Sequence, residues 1–393
     1  MKVSVVSTIL NHGRILQEVG TSLVLLAMSC PIVDKISVVT WKRTEGSAIE
    51  PFGSVEIIQV CDAYKPISVF RYFRVIQHSN SQVYIFNLMP TAYGTKNIPN
   101  LVGLFLPLYT EKILNRKTIV IYHNSTYTHD PSKLGYKGVL NRMRYFGLRL
   151  IERSIFNNVN TYFLTDTYAK ILSSKLPAAK IYAIRLPFFQ VMGTIFLNNL
   201  QNTKVLTITS GNDPRILLFG SWGPQKNLRY PLECLRRLKL EGRRIALTVA
   251  GGVNEHFPNL KEYYDRMFEE FTDVIDRRLQ YVPEEKLIDL FTNTDLVVIP
   301  YNAPGGFSSV LGLSMFFERQ VIISDFQEYR EQASNYRKVI FYKDNELYDK
   351  IKDFVENLFL PNSSVDVEIK GKIDAMVKEF SLLLENLNQS LQG

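Results

Sequence analysis

The sequence predicts an α/β protein of two domains, each built on a parallel, doubly wound sheet. Three observations predict it. Short β-rich apolar runs alternate with helical stretches along nearly all of the 393 residues, and that alternation marks βαβ units and a parallel sheet. The alternation lapses over residues 186–214 and then restarts with a new strand. A chain of this length also suits two ordinary domains better than one. Two Rossmann-like domains facing a central cleft are expected, with ligands beyond the carboxyl ends of the strands. The expected domains are 1–190, rejoined by a C-terminal helix over about 373–393, and 213–370, with a linker over 191–212.

In the first domain, strands are expected at 3–7, 36–40, 55–60, 83–88, 118–122, 161–164 and 181–184. Each is a short β-branched or aromatic run bounded by turn residues. Helices are expected between them. Leu16, Val19, Leu23 and Leu26 recur on one helical face, and further helices fall at 69–76, 101–114, 136–156 and 168–176. The second domain repeats the pattern. Strands are expected at 216–219, 245–249, near 282, at 296–300, 321–324 and 339–342. Helices are expected at 230–240, 260–271, 283–291, from Ser308 onward, at 347–359 and at 373–387. Pro283 followed by Glu284 and Glu285 is a favourable helix start, because proline suits the first turn and acids complement the dipole.

Apolar residues make up 46% and charged residues 21% of the chain, an ordinary globular balance with ample core. No run approaches the length needed to span a bilayer, and the start lacks the apolar core of a signal peptide. Cys30, Cys61 and Cys234 are scattered. They fit neither a disulfide framework nor a metal site, so a cytoplasmic protein is expected. Charge is uneven. Residues 1–200 hold 22 Lys+Arg and 10 Asp+Glu, leaving 24 and 28 of the totals 46 and 38 for the rest. A basic first half favours an anionic partner. Nucleic acid is not expected, since the cations are dispersed and no nucleic-acid module is present.

Two stretches suit a phosphate. The first is Asp295 to Asp325, which reads as strand, Gly305-Gly306 turn, Ser308-led helix, strand. Glycine lets the backbone approach a ligand, and the N–H groups opening a helix attract anions. The second runs from Phe219 to Arg229, with Gly220 and Gly223 before a helix. Lys226 and Arg229 are three apart across the helix start, so both are expected on one side, gripping a diphosphate.

These stretches resemble the nucleotide-binding domain of GT-B glycosyltransferases, nearest to the retaining family-4 group. Phe219-Gly220, Pro224 and Lys226 match its phosphate loop. Thr294–Pro300 match its "AD-V-x-V-x-P" strand. Gly305 to Met315 stand where it has "EGFG-L-V-x-x-EAM", and Val321–Asp325 with Glu331 match the strand and glutamate beyond. In the first half, Gly20 sits seven residues before Ala27, like the group's first glycine turn and helix. His123 ends a strand as its histidine does, and Arg149–Arg153 resemble its "LR-x-LER" helix before Thr165. The chain departs from the group at its two glutamates, which fall on Gly305 and Leu313. A subgroup with a serine-rich turn and V-L-x-L-A has no first glutamate either, and Ser308–Ser314 look like it.

The resemblance implies retaining, metal-independent transfer of a hexose from a nucleotide-diphosphate sugar to a glycan or lipid-linked acceptor. The donor is a substrate, so no cofactor is implied. Gly220, Lys226, Arg229 and the backbone at Ser308, Ser309 and Val310 would hold the diphosphate. Val282, Gly306, Phe307 and Leu313 would lie by the nucleoside and sugar. Gly20 and His123 would serve the acceptor side, with Lys226 and His123 catalytic. A binding or adaptor protein of the same fold that has lost catalysis is the alternative, motivated by Gly305 and Leu313. Arg142, Arg149 and Arg153 form a narrow stripe on the 136–156 helix. That stripe could rest on anionic headgroups and make the protein peripheral on the cytoplasmic face of a membrane.

Overall fold

In the computed structural model of the chain, the described residues are 1–7, 15–41, 55–61, 69–88, 97–123, 125–128, 139–184, 206–209, 213–253, 257–280, 282, 286–303, 307–358, 364–367, 371, 374–375, 377–382 and 384–385. The chain forms two compact units, Met1–Leu200 with Gly371–Gly393, and Gln201–Lys370.

The first unit holds strands β1 (Lys2–Val6), β2 (Lys35–Trp41), β3 (Val55–Cys61), β4 (Val83–Leu88), β5 (Lys117–Tyr122), β6 (Asn160–Phe163) and β7 (Ile181–Ala183). They form one seven-stranded sheet in the order β3-β2-β1-β4-β5-β6-β7, and every pairing is parallel. The order reverses at β1, as in a doubly wound sheet. The strands are near-continuous runs such as β4, where all six residues are buried, because helices cover both faces of a parallel sheet.

The helices are α1 (Ile15–Met28), α2 (Phe70–His78), α3 (Asn97–Leu104), α4 (Leu106–Leu108), α5 (Val139–Asn158) and α6 (Asp166–Lys175). The helix expected over 101–114 is broken. Pro107 sits in the first turn of α4, and the chain continues as a π turn over Tyr109–Ile113. A proline there removes a backbone donor and forbids a continuous helix through it. Thr165 caps α6 by accepting from the Tyr168 N–H, a contact worth about 1 kcal/mol. One core cluster joins the sheet to α2, α3, α4, α5 and α6 through Tyr72, Ile76, Leu104, Leu106, Ile155, Phe156 and Leu172.

The second unit holds β8 (Leu206–Thr209), β9 (Arg215–Phe219), β10 (Ala246–Ala250), β11 (Arg277–Leu279), β12 (Leu296–Ile299), β13 (Gln320–Ser324), β14 (Val339–Tyr342) and β15 (Ser364–Val367). Six form a sheet in the order β11-β10-β9-β12-β13-β14, again parallel throughout. Its helices are α7 (Arg229–Leu240), α8 (Lys261–Glu270), α9 (Leu287–Thr292), α10 (Ser309–Phe316), α11 (Gln327–Gln332) and α12 (Leu347–Asp353).

Two strands were not expected. β8, inside the expected linker, pairs antiparallel with β15 near the other end of the unit. Each is only four residues long, too short to stand out in the sequence. The start expected at 283–285 lies outside the described residues, and α9 is described from Leu287.

Candidate functional site

The site in the second unit is built where three parallel strands end side by side. The loop after β9 is pinned to both neighbours. The Gly220 N–H donates to the Ala250 carbonyl at 3.1 Å and the Trp222 N–H to that of Gly252 at 2.8 Å. The Trp222 indole N–H donates to the Gly251 carbonyl at 3.1 Å, and the ring is fully buried. On the other side, the Asn227 N–H donates to the Pro300 carbonyl at 2.8 Å and the Asn302 N–H to that of Gln225 at 3.0 Å. Lys226 and Tyr301 form an isolated antiparallel bridge. Tyr264 on α8 braces the loop from below, donating to the Gly223 carbonyl at 2.9 Å.

This pinning folds Lys226 back across the end of its own strand. Gly220 adopts φ +139, and a Cβ added there would fall on the Lys226 ammonium, with Val310 Cγ2 3.5 Å away. Only glycine suits such a φ and leaves that space open. Gly220, Lys226 and Val310 are therefore gathered in one place. The Lys226 ammonium lies over the rings of Trp222 and Tyr301, with centroids at 5.2 and 5.5 Å. Burial pushes its pKa down to about 8, and among the described residues it has no carboxylate partner. A half-buried cation held by ring faces has its charge open to an anion, should one bind.

The opening of α10 supplies the second half. Ser308 is the N-cap, and its Oγ accepts from the Leu311 N–H at 3.2 Å. Gln332 on α11 pairs with Ser308 twice: its Oε1 accepts from the Ser308 N–H at 2.9 Å and its Nε2 donates to the Ser308 carbonyl at 2.8 Å. The Tyr301 hydroxyl lies 3.2 Å from Ser308 Oγ. The Ser308 N–H, expected to face a phosphate, is thus already spent within the protein. What α10 offers are the N–H groups of Ser309 and Val310, which as first-turn donors have no partner inside the helix.

Arg229 is paired elsewhere, with Glu270. Lys226 lies in the loop bridge and α7 begins only at Arg229, so the helical spacing that would align them does not apply. Arg229 instead forks onto Glu270 of α8, with bonds of 2.8 and 2.7 Å. That carboxylate holds its pKa above the ordinary arginine value. Val282 is half-buried and lies three residues past the end of β11, not at its end. Phe307 is half-buried and Leu313 buried on α10. Gly306 lies outside the described residues.

In the first unit, three adjacent strands deliver a polar chain to their carboxyl ends. The Asn87 amide on β4 donates to Ser7 Oγ, just past β1, at 2.8 Å. Its Oδ1 lies 2.6 Å from Nε2 of His123, just past β5. Since Oδ1 only accepts, Nε2 carries the proton and Nδ1 is left as an acceptor. Burial pushes the His123 pKa down to about 4, so the ring is neutral at ordinary pH. Neither Asn87 nor Ser7 was picked out from the sequence.

The turn after His123 hangs on the buried Glu152 of α5. Its carboxylate accepts from Tyr122 at 2.8 Å, Ser125 at 3.0 Å, and both the N–H and hydroxyl of Thr126. Burial raises the Glu152 pKa, and these donors oppose the rise. Gly20 is no turn: it lies within α1, because the apolar face of that helix runs through it. A glycine costs about 1 kcal/mol in a helix without ending it. Arg149 is not on an open stripe. It donates to the Thr126 carbonyl at 3.2 Å and stacks on Tyr127 and Tyr145 at 5.2 and 4.9 Å. Arg153 is exposed, and the Arg142 side chain lies outside the described residues.

No family model matches the chain, and no curated protein matches it either. Solved structures do. Sucrose-phosphate synthase from Thermosynechococcus elongatus aligns with a TM-score of 0.68 at 12% identity, covering 99% of this chain and 98% of that one. HepE of Anabaena, solved with UDP and glucose, aligns at 0.59 and 11% over 100% and 98%. WaaG, a glycosyltransferase of lipopolysaccharide biosynthesis, aligns at 0.57 and 12% over 97% and 94%. The two doubly wound α/β units thus have the GT-B glycosyltransferase fold.

Proposed function

On the GT-B fold, we propose that the chain is a glycosyltransferase that takes a hexose from a nucleotide-diphosphate sugar. The observation that carries this reading is the Lys226 ammonium, lying against Gly220 beside Val310 at the start of α10 with no carboxylate partner among the described residues. UDP and UDP-glucose are named with the structural neighbour HepE, which supports a donor of that class here.

The leaving diphosphate gains charge as the glycosidic bond to it breaks. Fixed positive groups that need not reorganise are the main source of rate in such chemistry. Lys226 and the N–H groups of Ser309 and Val310 are proposed to supply them, without a metal. Departure of the diphosphate would leave an oxocarbenium-like sugar, which the acceptor attacks from the same face with retention. His123, neutral and with Nδ1 free to accept, is proposed for the sugar or acceptor side. The acceptor is a glycan or a lipid-linked sugar, and a lipid-linked one would bring the first unit to a membrane on its cytoplasmic face.

A second reading, nucleotide-sugar binding without turnover, draws on Leu313. The position that corresponds to the second glutamate of the family-4 group the sequence resembles is a buried leucine on α10. Incubation with a panel of nucleotide-diphosphate sugars separates the readings. Sugar release that Lys226→Ala abolishes, with the fold intact, supports the enzyme. Saturable binding with no release from any donor supports the second reading.

A further inference from the structure

The helical layer on the α2 to α5 side of the first unit carries large apolar side chains on its outside as well as its inside. A helix packed on a sheet needs only one apolar stripe. α5 buries Ile155 and Phe156 in the core, yet Met143, Phe146 and Leu150 stand exposed on it. At 100° per residue these three fall within an arc of roughly 60°, so they form a continuous outward stripe. Phe70 on α2, Phe105 at the head of α4 and Ile113 at the end of the π turn are exposed as well. All six are 46% to 71% exposed, and they are six of the eleven large apolar side chains exposed among the described residues. The elements that carry them touch in series, α2 to the π turn, the π turn to α4, and α4 to α5.

The exposed charge on this layer has one sign among the described residues. Arg71, Arg74, Lys112 and Arg153 are exposed, whereas its two described acids, Glu111 and Glu152, are half-buried and buried. A second copy of the chain is a poor occupant, since a two-fold interface would set these cations against one another. Apolar side chains rimmed by cations, with no exposed carboxylate among the described residues, suit the boundary between anionic headgroups and acyl chains.

The geometry points to this layer as the face that docks the protein on an anionic bilayer. The contact is apolar insertion by Met143, Phe146 and Leu150, with Arg153 beside them, rather than an arginine stripe through Arg149. It rests on the reading of a lipid-linked acceptor but uses none of the nucleotide site. The full chain should sediment with vesicles of phosphatidylcholine and phosphatidylglycerol at least about tenfold better than with phosphatidylcholine alone, and less so in high salt. Phe146→Ser/Leu150→Ser should lower that binding by about tenfold or more, while a nucleoside diphosphate stabilises the variant as it does wild type. Failure to bind anionic vesicles, or equal binding by the double variant, overturns the proposal. So does a wild-type dimer that the double variant dissociates. Vesicle binding that persists where no nucleotide binds would sink the donor reading alone.

Discussion

Lys226→Met tests whether a cation is held at a cost for the sake of a ligand. Burial lowers the Lys226 pKa from 10.5 to about 8. At about 1.36 kcal/mol per unit, keeping the ammonium charged in the fold costs about 3 kcal/mol at pH 7. The ring faces of Trp222 and Tyr301 return about 0.5–1 kcal/mol each. Methionine fills much the same volume without the charge. The variant should therefore be more stable than wild type by about 1–2 kcal/mol at pH 7. The sign of the pH dependence follows from proton counts. Between pH 8 and 10.5 the unfolded chain holds the lysine proton and the folded chain has lost it, so wild-type stability rises with pH across that window. The gain of the variant should fade over the same range. Urea denaturation followed at Trp222, in a Trp41→Phe background, reports the second unit. A methionine variant less stable than wild type at pH 7, or a difference that does not change between pH 7 and 10, would refute the reasoning.

Three further outcomes follow from the same geometry. Gly220→Ala puts a methyl on the Lys226 ammonium at a φ that suits only glycine; denaturation should show a loss of about 1–3 kcal/mol, and calorimetry a loss of diphosphate affinity. Gln332→Ala strands the buried N–H of Ser308, whose carbonyl keeps the Gly312 N–H, and should lower thermal stability by about 1–3 kcal/mol, with nucleotide affinity falling because the start of α10 loosens. Diphosphate affinity itself should fall as pH rises above about 8, by up to about tenfold per unit, since the bound anion needs the protonated lysine; a flat titration calorimetry profile from pH 7 to 9.5 would count against Lys226 as the contact.

What the sequence made legible was local. Strands and helices could be read because burial on both faces of a parallel sheet leaves unbroken apolar runs. Gly220, Lys226 and Ser308 stood out because glycine, cation and serine fall at strand-to-helix turns. What it hid was long-range. Arg229 looked like a partner for Lys226 until Glu270, forty-one residues on, claimed it. Gln332 reaches back twenty-four residues to Ser308, and Asn87 joins Ser7 and His123 from a strand that reads only as apolar. No spacing rule reports such pairs. β8 and β15 escaped for the same reason, each being only four residues long with its partner near the other end of the unit.

Isothermal calorimetry of a nucleoside diphosphate against wild type and Lys226→Met bears most directly on the account. Saturable binding by wild type is predicted, strong enough to stabilise it by about 2.7 kcal/mol at a hundredfold excess over Kd. The methionine variant should lose it while remaining folded. Equal affinity in the two proteins, or no binding of any nucleoside diphosphate to wild type, would contradict it.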